Sequence, residues 1–125
     1  MRRTVQGLEP APGHADHFAD LHATATAAYD AITRAIRPGV AASDLIEASA
    51  VIEQNGFTTY DDLVHGYGGG YFAPILGSKS RPAGHQATLT LQENMCVVIQ
   101  PNVITRDERA GVQFGELVQI GRAHV

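Results

Sequence analysis

The spacing of apolar residues changes once along the chain. From about His14 to Arg37 they fall at Phe18, Leu21, Ala25, Ala28, Tyr29, Ile32, Ala35 and Ile36. Steps of three and four place these on one face of an amphipathic helix, which Pro38-Gly39 ends. Ser43 reads as an N-cap with Asp44 in the first turn, and Leu45, Ala48, Ser49 and Ile52 mark a second helical face. Asn55-Gly56 is its C-terminal stop. After Phe57 the period shortens. Ala87-Thr88-Leu89-Thr90-Leu91 alternates apolar and polar, the pattern of a half-buried strand. Glu93-Asn94 turns the chain, and Met95 to Ile99 is an unbroken apolar run rich in β-branched residues, read as a buried strand. Thr105 to Gly111 is a charged turn region. Val112, Phe114, Val118 and Ile120 then follow a period of two, interrupted by Gly115-Glu116. The first thirteen residues, with Pro10, Pro12 and Gly13, read as a loop. Helices first and strands later predict an α+β fold.

Length and composition narrow the picture. A chain of 125 residues is about one domain with a modest core. At 44% hydrophobic and 18% charged it has an ordinary globular profile. Net charge is −4 and the basic residues are scattered, which argues against a nucleic-acid partner. No apolar run approaches the roughly 20 residues that cross a bilayer, and no apolar stretch follows Arg2-Arg3 as in a signal peptide. Cys96 is the single cysteine and lies in an apolar run, which suits a reducing cytoplasm.

Chemistry-bearing residues gather in the second half. His65-Gly66-Tyr67-Gly68-Gly69-Gly70 comes first, then Val97-Val98-Ile99-Gln100-Pro101, then Gly111-Val112-Gln113-Phe114-Gly115-Glu116. With the helix pair and its Ile36-Arg37-Pro38-Gly39-Val40 end, and with Leu91-x-x-x-Met95 leading into the second segment, these resemble the creatinase/aminopeptidase "pita-bread" family. That family includes methionine aminopeptidase, X-Pro aminopeptidase and prolidase. The resemblance covers nearly the whole chain. It implies a pita-bread fragment, a helix pair packed on a curved, mainly antiparallel sheet. It also implies hydrolysis near a peptide N-terminus by two divalent ions (Mn, Co or Zn in relatives), which need hard oxygen ligands plus an imidazole.

Carried over residue by residue, that resemblance gives an altered ligand set. His65 matches the ligand histidine and is the one catalytic candidate. Gln100 stands where the first glutamate is expected, and an amide brings no charge. Gly115 stands at the second glutamate and has no side chain. Glu116 follows it, but strand neighbours point to opposite faces, so Glu116 replaces residue 115 only if a bulge re-aims it. Phe72 occupies the place of a helper histidine. Arg3-Thr4 resembles a pair that follows the family's two aspartates, so those aspartates would precede Met1 and the chain reads as a fragment. The expected domain is residues 1–119, with 120–125 a non-native tail.

Blander readings stand beside these. His65 is either a metal ligand or a histidine hydrogen-bonded in a Gly-rich turn. His14, His17 and His22, with Asp16 and Asp20, read as a solvated helix start, since His22 is turned well away from His17. The glycines after His65 lack the Gly-Lys-Ser/Thr of a phosphate loop. Tyr67, Gly68, Tyr71 and Phe72 line a substrate pocket or pack a core. Arg106 to Arg109 reads as a solvated turn of mixed charge.

The expectation is an X-Pro-peptidase-like domain fragment without a working two-metal site and without a bound cofactor. It is expected in the cytoplasm, taking a peptide or small-molecule ligand in a cleft, with no nucleic-acid or membrane partner. Unpaired sheet edges allow a homodimer. The alternatives are a metal-independent, creatinase-like C–N bond hydrolase, or an active aminopeptidase if an upstream segment supplies ligands.

Overall fold

The computed structural model describes residues 4–7, 15–67, 71–82, 84–85 and 88–121, with backbone alone at 4–7, 15–17, 71–72 and 84–85. The apolar stripe read from sequence is the buried face of helix α1 (Ala15–Ala35), where Leu21, Ala25, Ala28 and Ile32 have no exposed surface. The second helical face forms two short helices, α2 (Ser43–Ala48) and α3 (Val51–Gln54). Ser43 is the first helical residue and Ala42 holds the cap position without a side-chain bond. The break between α2 and α3 falls at Ser49, whose hydroxyl donates to the Ile46 carbonyl at 2.7 Å. A serine that bonds its own backbone in this way competes with the helical ladder. Gly56 ends α3 at φ +84, a left-handed position that suits glycine.

Among the described residues eight strands form an antiparallel sheet. They are β1 (Thr4–Gly7), β2 (Thr58–Thr59), β3 (Val64–Tyr67), β4 (Tyr71–Leu76), β5 (Gly84–His85), β6 (Cys96–Ile99), β7 (Asn102–Ile104) and β8 (Gly111–Gln119). Their order is β2-β7-β8-β6-β3-β4-β5, with β1 added on β8, and every pairing is antiparallel. The nine-residue β8 organises the sheet. Its second half pairs with β6, from Ile99↔Glu116 to Cys96↔Gln119. Its first half pairs with β7 and with β1. Between β6 and β7 the partner strand lapses at Gln100-Pro101, where proline has no N–H to give the ladder.

Helix α1 packs on β6, β7 and β8, so the helices cover one face of the sheet. Alternation sends Val97, Ile99, Val103, Val112 and Phe114 into that interface, all buried. The Tyr29 and Phe114 rings meet there, with centroids 5.5 Å apart and tilted by 53°. Asn55 Nδ2 donates to Thr24 Oγ1 at 2.9 Å and ties the end of α3 to α1. The result is the expected α+β architecture, a helix layer on a curled sheet.

Four local readings change. Residues Thr4–Gly7 are a strand rather than a loop, because β8 offers them a free edge. Leu89 and Leu91 do not join the sheet. They bond instead to the Gly39–Ala42 segment, Ala42 N–H to Leu89 O at 2.7 Å and Leu91 N–H to Val40 O at 2.8 Å, with Leu91 fully buried. The Met95–Ile99 run is not buried throughout: Val97 and Ile99 face the helices while Cys96 and Val98 are half-buried on the other face. Ile120, grouped with the tail in sequence, is buried, and its N–H donates to Met95 O at 2.8 Å. Residues 122–125, His124 included, lie outside the described residues.

Ile32 packs into the core from the last turn of α1 with no exposed surface. Ile32→Ala is expected to destabilise the fold by about 2–5 kcal/mol, the usual range for emptying such a site. A urea midpoint measured with unchanged slope checks this.

Candidate functional site

The sheet face turned away from the helices carries the candidate residues. His65 on β3 pairs with Val98 on β6 and Ile75 on β4, and Val98 pairs with Leu117 on β8. Two residues further along β6 and two back along β8 stand Gln100 and Gly115, so they share the face of His65. A Cβ placed on Gly115 would lie 3.2 Å from Gln100 Cβ and 3.4 Å from the Ile99 carbonyl oxygen. The strand register therefore sets His65, Gln100 and Gly115 on one side of the sheet, with Gly115 against Gln100. It keeps Glu116 apart. Glu116 is paired with Ile99 on the helix-facing side, and its carboxylate accepts the hydroxyl of Tyr29 from α1. The β6–β8 register runs without a slip, so no bulge turns Glu116 toward His65.

His65 is buried, 6% exposed, on a strand rather than in a turn. The register between β3 and β4 shifts just after it. Its Nδ1 lies 2.9 Å from the Gly66 carbonyl oxygen. A carbonyl only accepts, so Nδ1 is the donor in this bond. That is the orientation a metal-bound or basic imidazole has when a backbone carbonyl holds its other nitrogen.

Around position 100 lies a polar network that the sequence reading did not identify. Gln100 Nε2 donates to Asp62 Oδ2 at 3.1 Å, and Asp62 is 4% exposed. Asn102 Nδ2 donates to the Asp62 carbonyl at 2.8 Å and to the Gln100 carbonyl at 3.1 Å. Asn102 Oδ1 accepts the backbone N–H groups of Tyr60 and Asp61, each at 2.7 Å. The Gln100 N–H donates to Leu63 O at 2.7 Å. A neighbouring carboxylate can be met by an amide only through its NH2, which fixes how Gln100 sits. The sequence signal for this network was Asp61-Asp62 directly before a buried strand, and Asn102 directly after Pro101.

These donors do not fit a pair of dications. Hard divalent ions want several anionic oxygens. On His65's face the matched positions supply an imidazole, an amide turned to a carboxylate, and a glycine. Among the described residues no three His, Cys, Asp or Glu side chains gather as a metal-holding group. The expected pocket residues are only partly visible. Tyr67 is 47% exposed, Gly68 lies outside the described residues, and Tyr71 and Phe72 are described by backbone alone. A recess of about 270 Å³ does border Gly66, Tyr67 and Cys96. His22 is exposed and stands 6.3 Å from the Phe114 ring, while His14 and the His17 side chain are outside the description. No helix among the described residues is long and apolar enough to cross a membrane.

The comparisons with known proteins agree with the fold. The model of metallopeptidase family M24 matches residues 1–122. Among solved structures, methionine aminopeptidase from Rickettsia prowazekii superposes with a TM-score of 0.70 at 20% identity, over 86% of this chain and 50% of that one. Prolidase from Pyrococcus furiosus gives 0.67 at 22% identity, over 85% of this chain and 30% of that one. X-Pro aminopeptidase from Thermotoga maritima gives 0.68 at 18% identity, over 86% and 30%. These likenesses establish a shared fold, and the chain spans half or less of each of those proteins. No curated protein matches.

Gln100→Glu restores a carboxylate where the resemblance expects one and sets it against Asp62. Two like charges at that distance raise the pKa of one carboxyl above its unfolded value. The raised group favours the folded state below the unfolded pKa and that advantage is lost as pH rises through the folded pKa. Gln100→Glu is therefore expected to be less stable than the native chain at pH 7, by about 1–3 kcal/mol, with the gap closing toward pH 4. Denaturant titrations of both chains across that range check the sign.

Proposed function

The chain belongs to metallopeptidase family M24, and from that premise we propose that it is an X-Pro-peptidase-like domain that binds a peptide or small molecule without assembling a two-metal centre. The observation that carries this is the hydrogen bond from Gln100 Nε2 to Asp62 Oδ2. A metallopeptidase site of this family aims anionic oxygen at a cation. Here a neutral amide stands in that place and spends its donor on the Asp62 carboxylate. The members of the family are typically dinuclear metal enzymes, so the catalytic consequence is direct. Without the ions there is no Lewis acid for the scissile carbonyl and no activated water. A recess of about 270 Å³ bordered by Gly66, Tyr67 and Cys96, next to His65 in the chain, supports a ligand site. The reading includes a fragment of the larger catalytic domain and a cytoplasmic setting, for which the free thiol of Cys96 is the support.

The orientation of His65 favours one second reading. With Nδ1 donating to Gly66 O, the imidazole is held in a fixed orientation on its strand, and creatinase, in the same fold family, hydrolyses a C–N bond without metal.

Elemental analysis after dialysis is the decisive measurement. We expect well under one Mn, Co or Zn per chain and no hydrolysis of X-Pro dipeptides when Mn(II) is added back. Two tightly held ions per chain would overturn the proposal. Hydrolysis that survives a chelator and disappears in His65→Ala would instead establish the second reading.

A further inference from the structure

We draw no further inference here: the strongest candidate, the sheet face opposite the helices where Leu117 is 40% exposed beside half-buried Val98, is an unpartnered apolar face and nothing in the structure shows what covers it.

Discussion

The alternation of strand β8 is the constraint on which the site depends. Each residue of β8 faces either the helices or the open side of the sheet, and nothing in its register with β6 lets a side chain change sides. Val112 and Phe114 are buried against α1, so Glu116, in step with them, is committed to the same side and meets Tyr29. Gln113, Gly115 and Leu117 are left for the other. The single acidic residue in the Gly115-Glu116 pair is thereby excluded from the neighbourhood of His65 by the same packing that makes the core. Moving it across would require a one-residue slip that turns Phe114 into solvent.

Electrostatics then decides what the open side can hold. A carboxylate at position 100 beside the buried Asp62 would need a cation to offset two charges in a poorly solvated place. An amide at position 100 removes one of those charges and satisfies the other through its NH2. Gly115 completes the arrangement, because the space beside its Cα is taken up by Gln100 Cβ. Positions 62, 100 and 115 are best understood as one unit, since each substitution toward a metal ligand meets an obstacle set by another.

Much of the fold was legible in the sequence. The three-and-four spacing of Leu21, Ala25, Ala28 and Ile32 and the period of two through Val112 and Phe114 both report a single buried face, and both elements formed as read. What sequence spacing does not report is pairing. Ala87–Leu91 has the alternation of a strand, yet Leu89 and Leu91 are claimed by the Gly39–Ala42 segment, and Thr4–Gly7 has little pattern but finds an open edge on β8. At the site, His65, Gln100 and Gly115 were legible through the order and spacing of three motifs. Asp62 and Asn102 were not, because their roles arise from contacts spanning about forty residues of chain between Asp62 and Gln100 or Asn102. A lone aspartate before a strand carries no mark of which partner it will meet.

The network also explains how such a site remains compatible with a stable core. Asn102 uses its full amide capacity, two N–H donations and two accepted N–H groups, all to residues 60–62 and 100. The segment ahead of β3 is therefore fastened to the gap between β6 and β7, where Pro101 interrupts the ladder and backbone groups need other partners. A metal pair would ordinarily supply much of that cohesion by drawing several strands onto common ions. Here the four hydrogen bonds of Asn102 fasten these segments to one another. The same amide that meets the Gln100 carbonyl also fixes the backbone at Tyr60 and Asp61, so the segment ahead of β3 and the β6–β7 gap are held by one side chain.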